Sequence, residues 1–152
     1  MRDRGVLTAA CVAVLALPPR AARVRDVDFA TCNTLPQQGM NACYAGEAIA
    51  TQRVLDSVLA AVRARVGRTT YPGFLRVQAA WVTYVRAECD RRANQYQGGS
   101  IMPTVHATCL IAHRWDRIDE LRANLCDGDN RDGCDESRRF ARPKRWRDGE
   151  AK

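Results

Sequence analysis

Apolar residues recur through the middle of the chain at intervals of three, four and seven, the spacing of one helical face. In the first such stretch the stripe is Tyr44, Ala48, Leu55, Leu59, Val62 and Val66, and Gly67 follows it, as a residue that favours helix ends. Asn41 stands ahead of the stripe and is a good N-cap type, so the helix is expected to start near it. Pro72 opens a second stretch, with a stripe of Phe74, Val77 or Gln78, Trp81, Val85 and Cys89 that runs on until Gly98 and Gly99. Pro103 precedes a third, marked by Ile111, Trp115, Ile118, Leu121 and Leu125. No segment shows the alternation of a strand. The short link between the first two stretches favours antiparallel neighbours. The expected fold is all-α, with three antiparallel helices in a small bundle.

The cysteines change this picture from a bare bundle to a stapled one. In an up-down-up arrangement Cys43, Cys89 and Cys109 fall at one pole, and Cys32 reaches it from just upstream. Cys126 and Cys134 lie beyond the other pole, eight residues apart, and are expected to close a local loop. These six residues form an even set, which reads as three disulfides if the chain is exported. Spacing alone does not choose the pairing among the four at the first pole.

Export is expected from the first residues. MRDRG is basic, Val6–Leu17 is an apolar run of 12 residues, and Pro18, Pro19 and Arg20 end it. That is the layout of a secretory signal peptide, too short to span a bilayer. The expected organisation is a signal peptide over 1–22, an irregular segment over 23–40, the helical domain over 41–125 and a C-terminal part over 126–152. Cys11 then reads as an apolar filler in the leader. The formal charge is +7, of which residues 1–23 carry +3, leaving +4 for the remainder. This mild basicity suits an anionic envelope surface and does not call for nucleic acid.

Candidate chemistry is sparse. Gln78, Trp81 and Tyr84 could form a ligand platform, but Trp81 reads better as a buried core anchor, with Gln78 placed to help position its indole. His106, Cys109 and His113 offer metal-ligand types on one helix, yet a bridged Cys109 has no thiolate for a metal or for nucleophilic attack. Asp127, Asp129 and Asp132 invite a calcium reading, which fails because Arg131, Asp132 and Arg138 occupy positions that such a loop needs for other residues. They read as a solvated, disulfide-closed acidic loop. The run from Arg138 to Arg147 is basic with Phe140 and Trp146. Arg138, Arg139, Lys144, Arg145, Trp146 and Arg147 are the candidate residues for binding anionic glycan or lipid, and the last ~15 residues are expected to be mobile. No paired carboxylates sit on an obvious cleft, and a phosphate-cradling loop and a G-x-S-x-G turn are missing, so nothing supports an enzyme and no cofactor or metal is expected.

An ordered set of residues resembles the lysozyme-inhibitor LprI-like N-terminal domain family. It runs from Cys32 through Met40-Asn41-Ala42-Cys43, Leu55, Gln78-x-x-Trp81-x-x-Tyr84 and Cys89 to Gly98-Gly99-Ser100, and closes with Cys109, Arg117 and Leu121. The chain departs from the family pattern at Gln52, Asp56 and Leu59, and at Val85-Arg86 after the Tyr. The resemblance implies a helical, disulfide-linked bacterial protein, periplasmic or secreted, with no transmembrane span once mature and a lysozyme-type hydrolase as its partner. Animal lysozymes are basic, so a basic inhibitor is expected to need a local acidic patch. Glu47, Asp56, Glu88, Asp90, Asp116, Asp119 and Glu120 could supply it, as could the loop from Asp127 to Glu136. Either that loop or the Gly98–Ser100 loop could enter the enzyme's cleft.

Overall fold

The computed structural model describes residues 29–126 and 131–143. The expected signal peptide, Asp127, Asp129, Lys144, Arg145, Trp146 and Arg147 lie outside the described residues. Five helices follow in order: α1 (Phe29–Asn33), α2 (Gln37–Arg65), α3 (Tyr71–Asn94), α4 (Met102–Leu125) and α5 (Arg131–Arg138). There is no strand among the described residues. The three long helices run up, down and up, so α2 and α4 start at the same pole.

Local chemistry accounts for most helix ends. Pro72 and Pro103 lie in the first turns of α3 and α4, where a missing N–H removes no helical bond. The chain leaves α2 at Val66, whose backbone is extended, one residue before Gly67. The start of α2 differs from expectation. It begins at Gln37, behind Pro36, and Asn41 is inside the helix. The Asn41 side chain caps nothing because its amide is used in contacts to another helix. The segment 23–40 is likewise not irregular throughout, since α1 and the first turn of α2 fall in it.

The centre of the molecule is α4, which packs along α2 and more lightly against α3 and α5. Ile111, Trp115, Ile118, Leu121 and Leu125 of α4 are buried, and they meet Tyr44, Ala48, Leu55, Val58 and Val62 of α2. The sequence stripe on α4 is therefore the core face, whereas on α2 Val58 joins it and Leu59 and Val66 sit at its edge. Only Val85, Cys89 and Ala93 of α3 are buried. Its first half touches the core only through Phe74 and Trp81, with Leu75, Val77 and Val82 exposed.

Three disulfides staple the fold: Cys32–Cys43, Cys89–Cys109 and Cys126–Cys134. The first ties α1 to α2, aided by the Tyr44 hydroxyl, which donates to Asn33 at 2.7 Å. The second ties α3 to α4. The third closes the local loop ahead of α5. That loop was expected to be solvated along its length, but its second half is helical and docks. Arg122 donates to the Ser137 carbonyl at 2.7 Å, and Arg65 at the end of α2 pairs with Glu136 at 3.0 Å.

The C-terminal run is not free from Arg138 onward either. Phe140 packs on the core, and Arg142, 11% exposed, pairs with Asp116 at 2.7 Å and Asp119 at 3.1 Å. An apolar ring and a doubly paired guanidinium outweigh the segment's polar composition.

The last turns of α3 carry an acid-sensitive lock. Arg91 and Arg92 both donate to Glu88. These bonds, that from Arg91 foremost, hold the Glu88 carboxyl down from its ordinary 4.5 to about 2. A depressed carboxylate stabilises the folded state fully above its unfolded value and loses that contribution as pH falls through its folded value. An NMR titration is expected to place the Glu88 midpoint near 2. Glu88→Gln is expected to remove part of the helicity lost on acidification from the ordinary carboxylate range. A midpoint at the ordinary value would refute the lock.

Candidate functional site

Polar residues of distant sequence position meet at the pole where α2 and α4 begin. The Asn41 carboxamide oxygen accepts from Thr104 at 2.6 Å and from Gln37 at 2.9 Å, while its nitrogen donates to the Ser100 carbonyl at 2.9 Å. The turn that Asn41 grips has a specific need for glycine. Gly98 adopts φ +80, a region that other L-residues rarely enter. A Cβ on Gly99 would lie 3.1 Å from the Tyr96 carbonyl. The result is a tight projection between α3 and α4, with Tyr96 and Ile101 exposed on it. Asn41→Ala is expected to cost about 1–2 kcal/mol and to speed amide exchange at Gly99 and Met102, which bond within this turn. Denaturant titration and exchange rates check this, and unchanged exchange would count against the tether.

The residues singled out on α3 divide between two roles. Gln78 does not position the Trp81 indole: its carbonyl accepts from Arg117 at 3.1 Å. Arg117 is 5% exposed, pairs with Glu120 at 2.7 Å and lies 5.9 Å from the centre of the Trp81 ring. Trp81 is half-buried, and the buried anchor of the core is Trp115 instead. Tyr84 is exposed and meets His113 edge-on, so it does not join Gln78 and Trp81 in one platform.

Where α3 stands away from α2, a cleft of about 400 Å³ opens. Its wall on α2 includes Gln52, Leu55, Asp56 and Leu59, its wall on α3 includes Gln78, Trp81 and Arg86, and α4 contributes His106, Leu110 and Arg114. The three departures from the family pattern on α2 thus face the matching pair Gln78 and Trp81 across one cavity. The Arg114 guanidinium donates to the Ala48 carbonyl at 2.7 Å. Burial lowers its pKa, opposed by the charge of Asp56. Sequence reasoning noted Arg86 only as a departure from the family pattern and did not single out Arg114, since single arginines at helical spacing carry no signal of a shared cavity.

Among the described residues most of the acids expected to form a patch are partnered instead. Glu88 is held by Arg91 and Arg92, Asp90 by His106, Glu120 by Arg117, Asp119 by Arg122 and Arg142, and Asp116 by Arg142. Asp56 accepts from the Gln52 amide, and Glu47 is buried. Asp135 and Glu136 pair with Arg138 and Arg65. Seven arginines are engaged by these acids among the described residues. Of the proposed tail contacts, Arg138 is paired and Arg139 is exposed.

His106 faces Asp90 and does not join Cys109 and His113. Cys89, Cys109 and His113 bring their ligand atoms within 4.8 Å of one another, but the two sulfurs are bonded to each other and offer no thiolate.

No helix among the described residues is long and apolar enough to cross a membrane. No curated protein and no solved structure matches the chain. The family model described as Lysozyme inhibitor LprI matches residues 31–121. That span holds α2, α3, the Gly98–Ser100 turn, two of the disulfides and nearly all of α4. It is more than half of the 152 residues, and the chain belongs to the lysozyme inhibitor LprI family.

Proposed function

We propose that this is an exported envelope protein, periplasmic or secreted, that inhibits a lysozyme-type cell-wall hydrolase by steric block, without chemistry of its own. Family membership carries this reading. The part proposed to make contact is the projection at Tyr96–Ile101. Glycosidases hold their catalytic carboxylates on either side of the scissile bond, and a cleft of that kind is closed by something that protrudes. The turn is convex, is gripped by Asn41 and presents an exposed Tyr and Ile. Aromatic residues of that type supply much of the energy at protein interfaces, and a tethered turn loses little freedom on binding.

Charge has a small part in this proposal. Most of the described acids that could attract a basic enzyme are paired within the chain, so binding is expected to rest on shape and apolar contact. The oxidised chain from Arg23 onward, titrated against several lysozyme types at low and high salt, is expected to inhibit at least one of them near one-to-one and to keep most of its affinity at high salt. Tyr96→Ala is expected to weaken inhibition by about tenfold or more with unchanged thermal stability. Removal of residues 144–152 should leave inhibition intact. No inhibition of any type would overturn the reading, and collapse with salt or on truncation would favour binding of an anionic surface through the basic tail.

A further inference from the structure

The cleft between α2 and α3 cannot be the surface that closes an enzyme's cleft, because two concavities do not interlock. Its lining is nevertheless that of a ligand site. At about 400 Å³ it lies within the range of roughly 300–1,000 Å³ usual for small-molecule sites. We propose that it binds a saccharide carrying a carboxylate, with Trp81 under the sugar ring and Arg86 and Arg114 on the acid group. This site does not depend on the inhibition reading.

The chemistry of the walls selects that class. Trp81 is half-buried and lines the cleft, whereas Arg117, 5.9 Å from the centre of its ring, does not line it. An aromatic ring on a cleft wall offers apolar surface to the C–H face of a pyranose. Gln52 and Asp56 also line it, and such planar amide and carboxylate groups match neighbouring hydroxyls. Arg86 forms no ion pair among the described residues. Arg114 is half-buried, with a backbone carbonyl as its hydrogen-bond acceptor. Asp56 acts on Arg114 through its charge but makes no hydrogen bond or ion pair with it among the described residues, so the fork of this partly desolvated guanidinium is left for an incoming carboxylate.

Other occupants fit less well. A phosphate ion would leave Trp81, Leu55 and Leu110 without contact. A fatty acid would strand Gln52 and Asp56. An extended peptide normally adds to an exposed strand edge or lays a helix in a long groove, and this cavity is compact and walled by helices whose backbone is already bonded.

The test uses the oxidised full-length protein and N-acetylmuramic acid as probe. N-acetylglucosamine, which lacks the acid, and a short acidic peptide serve as comparisons. Binding is read by calorimetry and by NMR shifts of the Trp81 indole. Saturable binding of the acidic sugar is expected with a dissociation constant on the order of 0.1–1 mM, in keeping with a ligand of this size. The neutral sugar is expected to bind about tenfold or more weakly, and Arg86→Ala with Arg114→Gln to lose a similar factor. Should the double variant misfold, Arg86→Ala alone must still weaken binding, because that side chain is exposed. No saturation by about 10 mM, well beyond the affinity expected for such a ligand, would overturn the proposal. Equal binding of the neutral sugar, undiminished binding by Arg86→Ala or preference for the peptide would also overturn it. Tyr96→Ala is expected to leave sugar binding unchanged, so failure here and failure of inhibition are separate results.

Discussion

Replacing Cys89 and Cys109 together by alanine is expected to lower stability by about 3 kcal/mol, the loop-entropy value for a closure of this length, and to loosen α3 before the rest of the fold. The bridge spans 20 residues and joins α3 to α4. Little else does so: the buried set on α3 is Val85, Cys89 and Ala93, against nine residues on α4. Without the bridge, the first half of α3 is held by half-buried Phe74 and Trp81 and by the Gln78–Arg117 bond. The double variant should melt roughly 10–15 °C lower, and its α3 amides should exchange well before those of α2 and α4. Cys32–Cys43 makes a useful contrast. It spans 11 residues and ties down α1, a helix of five residues, so its removal is expected to free that segment while α2, α3 and α4 stay together. Uniform exchange across the three long helices in the Cys89/Cys109 variant would show that the bridge is not what attaches α3.

Leu121→Ala is expected to cost about 3–4 kcal/mol, within the range for large-to-small changes in a packed core. Leu121 is fully buried on α4. It belongs to the cluster that includes Ile118, Leu125, Val58 and Val62, all on long helices with little freedom to collapse into the space left. Leu75→Ala makes the control. Leu75 is 47% exposed on the lightly packed first half of α3, and its truncation should change stability by about 0.5 kcal/mol or less. Urea unfolding of the two variants tests the proposed centre of the fold directly. A Leu121→Ala loss under about 1.5 kcal/mol, below the usual cost of such a cavity, would mean that α4 is not that centre. Comparable losses at the two sites would spread the core over α3.

The periodicity on α4 translated into burial at every position of its stripe, because that helix packs on several sides. On α3 the same kind of stripe was misleading. Val77 is 57% exposed and Trp81 is only half-buried, since a stripe states which side is apolar and not whether a neighbour arrives to cover it. Asn41 looked like a cap because its type is right for one, and only the approach of Ser100 and Thr104 from far along the chain reveals its use. The acidic residues looked available because their partners at three or four residues, and across helices, are arginines common throughout the sequence. Helix α5 was not legible in an acidic, Gly-containing segment whose stabilising contacts come from Arg65 and Arg122 elsewhere.

By itself, the sequence determined that this chain is helical, that its three long helices alternate in direction, and that six of its cysteines can be paired. Hydrophobic period, proline position and link length are local properties, and local energetics suffice to read them. The tertiary structure alone decided which cysteines at the shared pole pair, which acids are paired, how the Gly98–Ser100 turn is gripped, and that α3 stands away from α2 to leave a cleft with Trp81 and Arg114 on its walls. Those outcomes depend on the distance between residues remote in sequence. That distance is set by how side chains of different helices fill the space between them.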